Sequence, residues 1–158
     1  MKLATLCYVF NENKVLMLNR NKRLDDMHKG KWNGLGGKFN DGETPEECVI
    51  REIEEESGLK ITKPKLKGFI TFPSFSEGSF GDEWDDWYVF VFTANEFTGE
   101  LIESNEGELE WIDWNRIPQL PLWDGDKYFL EWLHQDKFFS AKFIYQNSEY
   151  KSHSVTFY

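Results

Sequence analysis

No run of about eighteen apolar residues occurs anywhere in the chain, so nothing in it reads as a membrane-spanning helix. Cysteine is scarce: two in 158 residues, Cys7 and Cys48, both among apolar neighbours and neither at a zinc or redox spacing. They read as small core residues of a reducing compartment. The three histidines, His28, His134 and His153, are too scattered for a nucleophilic triad or a zinc site. No Pro/Ser-rich tract or internal repeat divides the sequence, which leaves one domain over 1–158. Positive charge is short as well, 18 Lys and Arg against 28 Asp and Glu, a net −10. Such a surface repels a nucleic-acid backbone and argues against a DNA- or RNA-polymer binder. A small phosphate-bearing ligand needs divalent cations or local basic groups to bring it in. The opening Met1–Phe10 stops at the polar turn Asn11-Glu12-Asn13 with no small-residue cleavage site, so it reads as a strand, not a signal peptide, and a cytoplasmic location is expected.

Aromatic residues are abundant at 17%, within 40% hydrophobic overall, which is the composition of a chain that buries a core. Leu3–Phe10 and Val15–Arg20 pattern as a hairpin. Thr44-Pro45-Glu46-Glu47 is a helix start with Thr as N-cap, Pro at the first position and Glu at the third, and Gly58 is the matching stop. Lys67–Phe72 and Trp87–Ala94 read as strands, the second apolar on both faces and hence central. Glu108–Ile112 is a short strand leading to a turn at Pro118. Asp124–Gln135 is a helix with Phe129, Leu130, Trp132 and Leu133 inward, and Ala141–Gln146 with Ser152–Phe157 close a hairpin around Asn147-Ser148. Strands before, between and after two helices predict an α/β fold with a mixed sheet. Two stretches stay as loops, Asn21–Lys31 and Pro73–Asp86; the acidic cluster Asp82–Asp86 in the second lacks EF-hand spacing.

The chemistry concentrates between Gly37 and Leu59. On a helical wheel Glu52, Glu55 and Glu56 fall within about 100° of arc, beside an apolar arc of Val49, Ile50 and Ile53. Three carboxylates at i, i+3 and i+4 repel, by roughly 0.2–0.5 kcal/mol per exposed pair, so a cation is expected on them. Carboxylate oxygens are hard ligands suited to Mg²⁺ or Mn²⁺. The preceding Gly36-Gly37 lets backbone come close to a metal or phosphate where a Cβ would collide. Glutamates alone ordinarily mean a solvated helix face. Nine constrained positions at fixed offsets, however, recur by chance only about once in 10⁶ chains.

That segment resembles the Nudix box, G-x5-E-x7-R-E-U-x-E-E-x-G-U with U a bulky aliphatic residue, at every position from Gly37 to Leu59. The resemblance implies the Nudix fold, an α/β/α sandwich around a mixed β-sheet, and Mg²⁺-dependent hydrolysis of a nucleoside diphosphate linked to another group. It implies that Glu52, Glu55 and Glu56 bind metal, that the Gly37 carbonyl adds a ligand, and that Glu43 and Arg51 brace loop against helix. A glutamate outside the box commonly completes such sites, and Glu106 is the candidate here. The proton-accepting glutamate stays open among Glu56, Glu52 and Glu106, because coupled carboxylates titrate as a group.

Outside the box the chain is similar to the MutT-type branch, and in particular to oxidised-purine nucleoside triphosphate diphosphatases. The resemblance rests on Lys31-Trp32-Asn33-Gly34-Leu35-Gly36-Gly37-Lys38, on Leu122-Trp123-Asp124-Gly125-Asp126, and on Phe138–Phe143. It implies that Asn33 hydrogen-bonds the purine edge, Trp123 stacks on the base, Asp126 reads the Watson–Crick edge, Phe72 walls the pocket and Lys38 touches phosphate. The expected substrate is a free nucleotide such as 8-oxo-dGTP, released as monophosphate and pyrophosphate. ADP-ribose, a dinucleotide, or a catalytically silent nucleotide-sensing domain are the alternatives. The chain departs from the pattern at Gly125, where an acid is common, and in the length of the Pro73–Asp86 loop.

Overall fold

A computed structural model of the chain describes residues 1–22, 30–74 and 85–158. The acidic cluster at 82–84, His28, and most of both long loops lie outside the described residues. Among the described residues, ten strands and two α-helices run in the order β1 (Lys2–Asn11), β2 (Lys14–Asn19), β3 (Trp32–Asn33), α1 (Pro45–Ser57), β4 (Lys60–Thr62), β5 (Lys65–Phe72), β6 (Trp87–Ala94), β7 (Glu96–Thr98), β8 (Glu108–Asp113), α2 (Asp126–Trp132), β9 (Phe139–Gln146) and β10 (Glu149–Phe157), with a 3₁₀ turn at Trp114–Gln119.

The main sheet runs β10-β9-β5-β6-β1-β2-β3, with β8 paired to β2, while β4 and β7 form a separate two-stranded ribbon. It is mixed: β1 runs parallel to β6 and β5 parallel to β9, the rest antiparallel. β6, apolar on both faces, is indeed central, between β5 and β1. Alternation along the strands sends side chains to two separate cores. Tyr8, Val15 and Met17 join Val91 and the α2 residues Phe129 and Leu130 on one side. Cys7, Val9, Leu16 and Leu18 join Phe92 and the α1 residues Val49 and Ile53 on the other. One helix on each face of the sheet gives the expected α/β/α layering. Both cysteines are buried and free. Among the described residues no helix is long and apolar enough to cross a membrane.

β1 and β2 pair only next to their turn, at Phe10↔Val15 and Asn11↔Lys14. β2 pairs with β8 along its whole length and with β3 at Leu18 and Asn19, while the glycine segment bridges to β1 at Cys7↔Leu35 and Ala4↔Lys38. The segment Lys31–Lys38 thus fills the opening between β1 and β2, and it is this insertion that positions the site.

Helix α1 begins as expected. The Thr44 side chain accepts from the Glu47 N–H at 3.1 Å, the Glu47 carboxylate accepts from the Thr44 N–H at 3.3 Å, and Gly58 ends the helix with φ +81°. Helix α2 is shorter than the expected Asp124–Gln135. Gly125 at its N-cap offers no capping side chain, and Leu133 and Gln135 bond three residues back, to Leu130 and Trp132, in a tightened final turn.

Candidate active site

The first half of the site is the box. Arg51 donates to Glu43 through Nη2 at 3.0 Å, to Glu52 at 2.7 Å and Glu55 at 3.2 Å through Nη1, and to the Lys38 carbonyl at 3.0 Å. Hydrogen bonds from Arg51, and then from the Asn40 N–H, pull the Glu43 carboxyl down to about 2. Glu43 and Arg51 are therefore paired across the junction of loop and helix. The cation that the helix wheel called for is in part Arg51 itself, which sits on Glu52 and Glu55.

Glu56 is different. Burial, with Glu106 and Glu52 adding like charge, pushes its carboxyl up to about 8 against the opposing pull of Arg20. Glu106 reaches this place from outside the box. Arg20 Nη2 lies 3.0 Å from its carboxylate, the Lys22 N–H bonds its carbonyl at 3.3 Å, and the Ser104 hydroxyl accepts from its N–H at 3.2 Å. Gly107 packs so tightly on the Asn19 carbonyl that no side chain fits there.

The glycines allow close approach, though to protein groups. A Cβ on Gly36 would run into the Thr5 carbonyl, and one on Gly37 into the Glu52 carboxylate. The Gly37 carbonyl accepts from the Thr5 N–H at 2.9 Å, which occupies one of its two lone pairs. Cys48 lies beneath, its Sγ 3.7 Å from the same carbonyl and 3.5 Å from the Thr5 hydroxyl. Among the described residues no three acidic, histidine or cysteine side chains stand together as a ready-made metal cage. The donor set nonetheless suits a hard divalent cation. Glu56 is half-buried with two acidic neighbours, and in ionised form it calls for positive charge.

The second half lies at the other end of the Lys31–Lys38 segment. Trp123 is buried, with Tyr145 edge-on to its ring at 5.8 Å and the Lys31 ammonium 4.9 Å from its centroid. Phe72 is buried beside Phe143 and Tyr145, each ring 6.2 Å away. Burial pushes the Asp126 carboxyl up to about 8, with Lys31 pulling it down and Asp124 adding to the rise. The Asn33 side-chain amide donates to the Lys31 carbonyl at 3.4 Å. Lys38 is exposed, its ammonium 5.4 Å over the Trp87 ring. Asn33, Phe72, Trp123 and Asp126 thus belong to one region, while Lys38 marks its passage to the box.

Sequence reasoning missed three residues here. Burial, and then the charge of nearby Asp126, raises the hydroxyls of Tyr8 and Tyr145; both sit at inward positions of strands, indistinguishable there from ordinary core. Lys31 touches Trp123 and Asn33 and influences Asp126, and its only signal was its place just before Trp32-Asn33. Tyr145 also explains the departure at Gly125. The Gly125 N–H donates to its hydroxyl at 2.8 Å, and a Cβ at Gly125 would collide with that oxygen and with Phe143.

Residues 1–133 match the NUDIX domain family, and the chain belongs to it. Its similarity extends over most of its length to an oxidized purine nucleoside triphosphate hydrolase of Danio rerio, 36% identical over 148 residues, 94% of this chain and 89% of the relative. It is 38% identical over 132 residues to the Nudix hydrolase YvcI of Bacillus subtilis, 82% of this chain and 77% of that one. The fold superposes on a crystal structure of a mutator MutT protein from Bacillus halodurans with a TM-score of 0.85 at 34% identity, over 98% of this chain and 97% of that one. The chain is a Nudix hydrolase of the α/β class.

Proposed function

We propose that this protein hydrolyses oxidised purine nucleoside triphosphates, 8-oxo-dGTP among them, to the nucleoside monophosphate and pyrophosphate. One observation carries the reading: the short segment Lys31–Lys38 joins an aromatic and acidic pocket to a carboxylate-rich helix. At one end Lys31 covers Trp123; at the other Gly37 abuts Glu52 and the Lys38 carbonyl accepts from Arg51. A base held at the first end places a phosphate chain toward the second. The name and similarity of the Danio rerio relative support the same substrate class.

In this reading residues 1–158 act as one domain, since β9 and β10, beyond the family match, form the edge of the same sheet. Glu52, Glu55, Glu56, Glu106 and the Gly37 carbonyl hold Mg²⁺, with Mn²⁺ able to replace it. Bound there, the metal neutralises diphosphate oxygens and acidifies the attacking water. The protein's own groups do the rest. Arg51 and Glu43 fix the loop against the helix, so that the carboxylates keep their spacing. A carboxylate among Glu56, Glu52 and Glu106 accepts the proton of the attacking water. Lys38 leaves Trp87 to meet phosphate. Trp123 stacks on the base, worth about 1–3 kcal/mol; Asn33 and Asp126 bond its edges and Phe72 closes the wall. The net charge of −10 fits a free nucleotide better than a polymer, and the reduced cysteines fit a cytoplasmic setting.

The test is product analysis with Mg²⁺ over 8-oxo-dGTP, dGTP, ADP-ribose and a diadenosine polyphosphate, with Glu56→Gln alongside. The proposal expects the highest kcat/KM for 8-oxo-dGTP, giving monophosphate and pyrophosphate, and loss of turnover in the variant. A higher kcat/KM for any other member of the panel overturns the substrate; no turnover of any overturns the enzyme.

A further inference from the structure

Lys31 meets three of the four base-pocket groups singled out by sequence, Trp123, Asn33 and Asp126. Its ammonium lies 4.9 Å from the ring centroid of Trp123, a residue only 5% exposed, so it covers a face that a stacked base would need. Its carbonyl accepts from the Asn33 amide at 3.4 Å, and its charge acts on Asp126. The backbone around it is pinned. The Arg20 N–H donates to the Lys31 carbonyl at 3.1 Å, and the Trp32 N–H to the Pro121 carbonyl at 2.9 Å, which ties the segment to the loop that carries Trp123.

A purine stacking on that face displaces the ammonium to the rim of the base, where the exocyclic groups are. An ammonium has three donors and no acceptor, whereas a carboxylate only accepts. Side by side they match a base edge on which a ring N–H stands next to a carbonyl. Oxidation at C8 creates such an edge on any purine, since N7 gains a proton and C8 a carbonyl oxygen. Adenine has no such edge until it is oxidised.

We propose that Lys31 is a specificity-determining residue, which swings from the Trp123 ring to donate to the base carbonyl while Asp126 accepts from the neighbouring ring N–H. This rests on the oxidised-purine reading above. The charged and titratable groups facing Asp126 are Lys31 from the glycine segment, Asp124 from its own loop, Tyr8 from β1 and Tyr145 from β9. Of these, only Lys31 favours the ionised acid, which is the stronger acceptor for the N–H.

The experiment compares 8-oxo-dATP with dATP, which differ only in that edge, in wild type, Lys31→Met and Lys31→Arg. Binding of the matching monophosphates is measured in EDTA by tryptophan fluorescence, which needs no metal or turnover. The expected result is a fall of at least about tenfold in the oxo-to-parent ratio for Lys31→Met, in kcat/KM and in affinity, as befits loss of a charged donor. Lys31→Arg keeps the ratio within about threefold of wild type, because its guanidinium also donates. In Lys31→Met the alkaline rise of kcat/KM for 8-oxo-dATP moves to higher pH, a change that loss of packing alone does not produce. If wild type binds and turns over both nucleotides alike, the substrate reading fails and the role of Lys31 with it. If wild type discriminates and Lys31→Met leaves the ratio unaltered, the role of Lys31 alone is overturned.

Discussion

Arg51 grips Glu43 at both ends of its carboxylate, Nε to Oε1 at 2.5 Å and Nη2 to Oε2 at 3.0 Å. The pair spans the loop-to-helix junction, and the same guanidinium reaches Glu52 and Glu55 through Nη1. Loss of the grip on one side lets the other partners shift, and a misplacement of about 1 Å at a reacting centre costs up to about 100-fold in rate. Glu43→Gln is therefore expected to lower kcat/KM roughly 10- to 100-fold. The stability effect has a definite pH window. Glu43 sits at about 2 in the folded protein, below its ordinary 4.5, so its stabilisation is present above pH 4.5 and disappears as the pH falls toward 2. Urea midpoints of wild type and Glu43→Gln, measured across that range, should converge on acidification; curves that stay parallel would contradict the assignment.

Asp126 behaves in the opposite sense. Its folded value of about 8 lies above the ordinary 3.8, with burial as the main cause. The folded state holds a proton that the unfolded chain releases, so this contribution is complete below pH 4 and is lost as the pH rises through 8. Asparagine has no such titration. The Tm of wild type minus that of Asp126→Asn should fall by roughly 5 °C or more between pH 4 and pH 8, then level off. A difference that stays flat over this range would mean that Asp126 is ionised throughout.

Much of the box half was legible because its signals are local. Thr44, Pro45, Glu47 and Gly58 fix a helix from neighbouring residues alone, and the spacing of Glu52, Glu55 and Glu56 follows from helix geometry. Glu106 was a candidate from the resemblance, and Arg20 pairs with it beside the box. The base-pocket half depends on contacts distant in sequence, such as Lys31 on Trp123 and Tyr145 under Gly125. No periodicity encodes these. β4 and β7 went unread for a related reason: strands of three residues carry too little alternation to be recognised without each other.

Glu56 lies half-buried with Glu106 and Glu52 nearby, and a divalent cation relieves that repulsion. Mg²⁺ should therefore stabilise the fold. At a concentration about 100 times its Kd the gain is about 2.7 kcal/mol, or roughly 5–10 °C in Tm, and EDTA should reverse it. With its carboxyl pushed up to about 8, metal-free Glu56 is mostly protonated at neutral pH, so the metal-free Glu56→Gln variant should be about as stable as wild type, with a smaller Mg²⁺ response and kcat lower by about 10²- to 10⁴-fold. Thermal scans with Mg²⁺, Ca²⁺ and EDTA check this. An undiminished Mg²⁺ shift in the variant would move the metal away from Glu56.

Gly125 is held by packing and not by backbone conformation, since its φ of −73° suits any residue. A methyl group there meets the Tyr145 hydroxyl and the Phe143 ring, both in the core under the base pocket. Gly125→Ala should destabilise the protein by about 1–3 kcal/mol through overpacking. Tyr145→Phe removes the acceptor of the buried Gly125 N–H, at a cost of about 1–3 kcal/mol. Combined, the two changes should cost less than their sum, because the phenylalanine vacates the space that the alanine needs. Chemical denaturation of the two single variants and the double variant measures the coupling. Strict additivity would show that the hydroxyl does not confine position 125, and an acidic residue there would then be tolerated.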